Sequence, residues 1–117
     1  MAIVTRDGLR EKLLRWQNGR LSHQQMYDWA NEVTAENGET GDEVVDEIVS
    51  HLDVLDVNLT TPDDVPTFIA MLDAETDEEA LAILEAYGQA FDLEQRIARW
   101  KDDPFYAPFC RTPGRAP

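Results

Sequence analysis

Acidic residues at regular spacing are the most prominent candidates for chemistry in this chain. Glu43, Glu47 and His51 recur every four residues, and a second group of acids alternates along the chain (Asp73, Glu75, Asp77 and Glu79). Alternating carboxylates are typical of calcium loops, but this segment lacks the glycine at the sixth loop position and has Leu84 at the twelfth, where a glutamate is needed. We therefore expect no dedicated metal site and no cofactor.

Residues that could act as nucleophiles or bases are few. The chain has two histidines, His23 and His51, and one cysteine, Cys110. Arg111 follows Cys110, and a neighbouring cation favours the reactive thiolate, but no partner base is identifiable. The sequence contains no Gly-rich phosphate loop and no nucleophile elbow. We predict that the protein is not an enzyme.

The charge of the chain is strongly and unevenly negative. Its 24 Asp and Glu against 10 Lys and Arg give a net charge of −14. All the cations lie in residues 1–30 and 91–117, and residues 31–90 contain no Lys or Arg. We expect the terminal segments to fold against this middle and relieve part of its repulsion. Phosphate backbones and anionic lipids are bound by clustered cations, so nucleic acid and membrane are disfavoured as direct partners.

Length and composition predict one soluble domain. A chain of 117 residues, 43% of them hydrophobic, can build a single core. The lone cysteine excludes an internal disulfide and a zinc site built from several cysteines. No apolar run approaches the roughly 18 residues of a membrane helix, and the N-terminus lacks the apolar core of a signal peptide. We expect one cytoplasmic domain over residues 1–117, with 112–117 as a loose tail.

Apolar residues recur at helical spacing and predict an all-α bundle of five to six helices. The first helix is expected over residues 6–18. The second should run to about residue 36, opened by a capping box in which Ser22 and Gln25 satisfy each other's backbone N–H groups. The third is expected over residues 42–55, with an apolar inner face and an all-acidic outer face.

Capping signals place the remaining helices and leave two boundaries open. Thr61 followed by a proline is typical of a helix start, although a start at Asp64 fits equally well; this helix should end near residue 72. Thr76 opens the next helix with a second capping pattern. Beyond Gly88 the apolar stripe rotates, which predicts either a kink there or a break with Asp92 capping a sixth helix.

The C-terminal segment combines prolines with aromatic residues. Pro104 and Pro108 argue against a regular helix there. Three aromatic residues within five positions are too apolar for a free tail, so we expect a segment that packs across the bundle. The aromatic residues expected in the core are these three and the three tryptophans (Phe105, Tyr106, Phe109, Trp16, Trp29 and Trp100).

A short motif resembles a known group of proteins. The pattern LxxWxxGxLS…WA covers residues 13–30 (Leu13, Trp16, Gly19, Leu21, Ser22, Trp29 and Ala30). It is similar to a pattern in small helical bacterial proteins, some of which resemble immunity proteins of contact-dependent inhibition or colicin-type systems. The resemblance implies a helical hairpin, and for the whole protein it implies an acidic inhibitor of a basic toxin.

The acidic middle of the chain is therefore the main functional candidate. Acidic helices could occupy the nucleic-acid groove of a basic toxin, nuclease or regulator, and complementary charge would speed association. The alternative is a structural or oligomerising helical protein whose acidity serves only solubility, with an apolar patch around residues 105–109 buried between copies. The residues predicted to bind a basic protein partner are Asp42, Glu43, Asp46, Glu47, Asp53, Asp56, Asp63 and Asp64.

Overall fold

The chain folds into helices joined by short turns. A computed structural model describes residues 4–37 and 40–110. Within these ranges the structure is all-helical, which confirms the predicted class, with six helices of eight or more residues and one final helical turn. In chain order these are α1 (Arg6–Gln17), α2 (His23–Asn37), α3 (Glu43–Leu52), α4 (Val65–Asp73), α5 (Asp77–Ala90), α6 (Leu93–Trp100) and α7 (Ala107–Cys110).

The first two helices begin and end where the sequence predicts. The Thr5 hydroxyl accepts the backbone N–H of Gly8 at 3.0 Å at the start of α1. Gly19 ends that helix with a φ of +84°, a left-handed conformation that favours glycine. At the start of α2 the Ser22 hydroxyl accepts the Gln25 N–H at 3.1 Å, and the Gln25 side chain accepts the Ser22 N–H at 2.9 Å. The predicted capping box is confirmed.

The third helix is shorter than the sequence predicts. It begins after Asp42, whose carboxylate accepts the N–H of Val44 at 3.1 Å, and it ends at Leu52 rather than at residue 55. The following residues form turns instead, which close at Leu59 with a φ of +53°. These turns bring both Leu55 and Leu59 into the core, where each is fully buried.

Both predicted starts of the fourth helix have a counterpart in the structure. The Thr61 hydroxyl caps a 3₁₀ turn, Pro62–Asp64, and the α-helix begins directly after it at Val65. Proline has no N–H to donate, so Pro66 is accommodated in the first turn of α4.

Helices α5 and α6 are separate, as one of the two predicted alternatives requires. Thr76 caps α5, which continues through Gly88 as far as Ala90. The chain breaks at Phe91, and the Asp92 carboxylate accepts the Gln95 N–H at 3.1 Å to begin α6.

The core lies between helices α1 to α5. Helix α4 packs against α1 and α5, and α3 packs against α2, α4 and α5. Helix α6 lies at the margin, because none of its residues is buried and its closest helical neighbour is the short α7. The buried apolar side chains from α1 to α5 and the intervening turns include Leu9, Leu13, Trp16, Met26, Val44, Ile48, Leu52, Phe68 and Met71.

The C-terminal segment packs on the bundle, as predicted for its aromatic residues. Tyr106 is fully buried, and Phe105 and Phe109 are half-buried against the core. The expectation that no helix forms here is wrong for one turn, α7, because Pro108 lies within its first turn, where its missing N–H is tolerated. The predicted loose tail, residues 112–117, lies outside the described residues. None of the described helices is both long enough and apolar enough to cross a membrane.

Candidate protein-binding surface

Arginines from the N-terminal helix pair with aspartates of the cation-free middle. Arg6 donates to both carboxylate oxygens of Asp42, at 2.7 and 3.0 Å, and to Asp77 at 3.0 Å. This pairing holds the pKa of Asp42 below its ordinary value. Arg10 pairs in the same way with Asp73. Because Asp42 caps α3 and Asp77 begins α5, Arg6 ties the N-termini of these two helices together.

A second arginine enters from α6 and forms a buried ion pair. Arg96 donates to the two carboxylate oxygens of Asp64 at 2.7 and 2.9 Å, and Asp64 is only 1% exposed. The same guanidinium donates to the Thr61 hydroxyl at 3.1 Å and to the Leu59 carbonyl at 3.2 Å. Burial and the Asp64 charge together raise the pKa of the neighbouring Tyr87 hydroxyl.

Another ion pair lies beside the buried one. Arg99 binds Asp63, and the Trp100 indole N–H donates to the same carboxylate at 2.9 Å. These donors lower the pKa of Asp63. Both pairs link α6 to the turn that precedes α4. We predicted that the terminal segments relieve the repulsion of the acidic middle. In the structure this prediction corresponds to specific ion pairs formed by arginines from both ends of the chain.

Four of the eight predicted binding residues have structural roles. Asp42 and Asp63 are bound to arginines, and Asp46 accepts both the backbone N–H and the hydroxyl of Thr40 at 2.8 Å. Asp64 is buried, so its carboxylate is not accessible to a protein partner. Local sequence patterns could not show this, because the arginine that binds Asp64 lies 32 residues further along the chain.

The other four predicted residues are at least partly accessible to solvent. Glu43 is exposed, and Glu47, Asp53 and Asp56 are half-buried along α3 and the turns that follow it. None of them pairs with a described Lys, Arg or His. The neighbouring helix α5 belongs to the same acidic middle and adds acids that are not among the predicted binding residues. We call the whole set the acidic surface: Glu43, Glu47, Asp53, Asp56, Glu78, Glu79 and Glu85.

Helices α3 and α5 run side by side in the same direction. Their N-termini meet at Arg6, and residues near their C-terminal ends, such as His51 and Tyr87, line one depression of about 270 Å³. We call this depression the junction groove; its lining residues are His51, Asn58, Thr60, Tyr87, Gly88 and Phe91. A larger hollow of about 740 Å³ adjoins it beside α6, shares Tyr87 and Phe91, and contains the ion pairs of Arg96 and Arg99.

No family model matches the chain, and no curated protein or solved structure is significantly similar to it. The resemblance of residues 13–30 to immunity proteins therefore stays a prediction. What the protein does has to be inferred from the charge and shape of its own surface.

The two histidines take part in packing contacts. The His23 Nδ1 accepts the Trp16 indole N–H at 3.0 Å, so the ring proton belongs on Nε2, which lies 3.3 Å from Asp103. His51 packs its ring against Phe68, with the ring centres 5.9 Å apart. Among the described residues no three His, Cys, Asp or Glu side chains lie close enough together to hold a metal ion.

Proposed function

We propose that this protein is a non-enzymatic binding protein that offers its acidic surface to a basic protein partner, as an immunity protein does to a toxin. The proposal rests on the acids that remain without a cationic partner once the ion pairs within the molecule are taken into account. Arginines of the terminal segments bind Asp42, Asp63, Asp64, Asp73 and Asp77, yet the acids on the outside of α3 and α5 keep no described cationic partner.

The remaining cations lie on other elements. Among the described residues, Lys12 lies over the Trp29 ring, Arg15 is 3.8 Å from Glu11, Arg20 is in the turn between α1 and α2, and Lys101 follows α6. Helix α1, which carries the first two, packs mainly against α4 and the 3₁₀ turn that precedes it. This separation of positive from negative charge supports a surface that attracts a basic protein over a distance and orients it before contact.

The alternative function, an oligomerising protein, receives less support. The apolar patch that it needs was expected around residues 105–109, where Tyr106 is buried and Phe105 and Phe109 are half-buried against the core. Sedimentation of the purified protein distinguishes the two functions. A stable dimer at low concentration would favour the alternative, and a monomer would favour the acidic binding surface.

The proposal is tested by neutralising acids without disturbing the fold. A triple variant, Glu43→Gln, Glu47→Gln and Asp53→Asn, removes charge from the acidic surface and leaves every arginine pair intact. The matched control neutralises three exposed acids on other elements: Glu32→Gln, Glu94→Gln and Asp102→Asn. Immobilised wild-type protein and both variants are used to capture proteins from a lysate of the source cells at low and moderate salt, and captured proteins are then titrated in purified form.

We expect a basic partner whose affinity falls at least about tenfold for the triple variant, changes little for the control, and weakens with salt. Capture of only neutral or acidic proteins would contradict the proposal. Equal affinity of the triple variant and the control would contradict it as well.

A further inference from the structure

We propose that the junction groove accepts an apolar side chain carried by a basic segment of the partner protein. This inference rests on the proposed function and extends it, because it adds an apolar anchor to an interface otherwise defined by charge. The groove lies where the turns after α3 meet the end of α5 and the start of α6, next to the C-terminal end of the acidic surface.

Gly88 is the first observation that favours this site. A glycine inside a helix weakens it relative to alanine, and such a residue usually allows another group to come close to the backbone. A Cβ added at Gly88 would meet no atom within 4 Å, so no packing contact among the described residues requires a glycine there. The groove side of α5 is open to a side chain from outside the molecule.

The walls of the groove are the second observation. Tyr87 and Phe91 pack edge to face with their ring centres 5.9 Å apart, and both are half-buried. Helix α6 covers these rings only in part: the Arg96 guanidinium lies over the Phe91 ring, 4.9 Å from its centre. Aromatic walls around a small open site suit the insertion of one aliphatic side chain.

The charge around the groove decides which partner fits. Asp53 and Asp56 belong to the turns that contribute Asn58 to the groove, and Asp92, which lines the adjoining hollow, follows Phe91. The cation nearest in sequence to Phe91, Arg96, is bound bidentately by Asp64 and so offers little free positive charge. An apolar side chain flanked by Lys or Arg therefore meets complementary charge, whereas an acidic segment would be repelled.

Two synthetic helical peptides of equal length and equal lysine content serve as probes. One carries leucines along one face and the other carries alanines at the same positions. Each is titrated into ¹⁵N-labelled protein while backbone amide signals are recorded. We expect the lysine–leucine peptide to bind at least about tenfold more tightly, because a buried leucine removes more apolar surface from water than alanine does. Its largest signal changes should fall at Gly88, Tyr87 and Asn58.

Substitutions at Gly88 test the contribution of the groove to binding without changing the charge of the acidic surface. Gly88→Gln fills the opening with a flexible side chain and strengthens the helix, so the variant should remain folded. Gly88→Ala is the matched control, since it gives the same gain in helix propensity and occupies little of the groove. We expect Gly88→Gln to abolish the advantage of the leucine peptide and Gly88→Ala to keep most of it.

The possible results separate this inference from the proposed function. Equal binding of both peptides, unaffected by Gly88→Gln but weakened by the triple acidic variant, overturns the groove and leaves the proposed function standing. Binding of neither peptide at low salt overturns the proposed function too. Self-association that Gly88→Gln abolishes would show that a second copy of the chain fills the groove, and would also overturn the inference.

Discussion

Two of the arginine–aspartate pairs that join the ends of the chain to its acidic middle differ mainly in burial. In the pair of Arg96 and Asp64 the side chains are 15% and 1% exposed, whereas Arg6 and Asp42 are both 32% exposed. Each aspartate lies at a helix start and accepts backbone N–H groups as well. The same chemical pair therefore occurs once in the protein interior and once near solvent.

The difference in burial makes the hydrogen-bond partners of the buried pair more important for stability. Removing two charges from water is unfavourable unless every donor and acceptor is satisfied. Arg96 accordingly binds the Thr61 hydroxyl and the Leu59 carbonyl in addition to Asp64, and no described buried side-chain nitrogen or oxygen lacks a hydrogen bond. The exposed pair needs no such network, because water solvates what the protein leaves open. We infer that Arg96 determines the position of α6, while Arg6 mainly adjusts the charge at the start of α3.

The largest expected effect follows from breaking the buried pair on one side only. Arg96→Met leaves the Asp64 carboxylate buried without its cation and should destabilise the protein by about 3–5 kcal/mol. Urea unfolding of the purified variant measures the change. Adding Asp64→Asn to Arg96→Met removes the unpaired charge, keeps an acceptor for the Thr61 N–H, and should restore part of the stability. A loss below about 1 kcal/mol for the single variant would show that the pair contributes no more than an exposed one.

The sequence alone predicts features that depend on neighbouring residues but not those that depend on distant contacts. Caps are local, so Ser22, Asp42, Thr76 and Asp92 could be recognised from residues three or four positions away. The early end of α3 is not local, because the turns after it are held from a distance: the Tyr106 hydroxyl donates to the Thr60 carbonyl at 2.7 Å.

The candidate site shows the same division between local and distant causes. That the terminal cations would lie against the acidic middle followed from their distribution along the chain. Which acids they would bind did not, because Asp63 and Asp64 meet Arg99 and Arg96 only once α6 folds back. Helical periodicity also gives no sign that α5 lies beside α3, so the acids of α5 are not among the predicted binding residues.

A smaller effect is expected from the exposed pair, and it should depend on pH. Arg6→Gln removes bonds to Asp42 and Asp77 at a solvent-exposed corner, which should destabilise the protein by about 1 kcal/mol or less at neutral pH. Since Arg6 lowers the pKa of Asp42 below the ordinary value of 3.8, this contribution is fully present above the ordinary value and is lost as the pH falls through the lowered one.

Urea unfolding of wild type and Arg6→Gln at about pH 7 and about pH 3 checks both the size and the sign of this effect. The gap in unfolding free energy should narrow at the lower pH. An equal gap at both pH values would show that Arg6 acts through packing of its aliphatic chain rather than through the Asp42 charge.

The smallest expected effect concerns salt, and it contrasts paired acids with unpaired ones. Sodium chloride screens the repulsion among the exposed acids of α3 and α5, whereas the buried pair of Arg96 and Asp64 is screened much less. Raising the ionic strength should therefore increase the Tm of the wild type by a few degrees, equivalent to about 1 kcal/mol or less for a domain of this size. The Tm of Arg6→Gln should rise more than that of the wild type. This variant has one cation fewer to offset the acids, and it has no ion pair at that corner for salt to weaken.

Calorimetry in chloride rather than sulfate avoids the general strengthening of apolar burial by sulfate. A Tm that stays flat in both proteins would mean that the acids outside the arginine pairs lie too far apart to repel one another, and the acidic surface would then lack the coherent field that its proposed role requires.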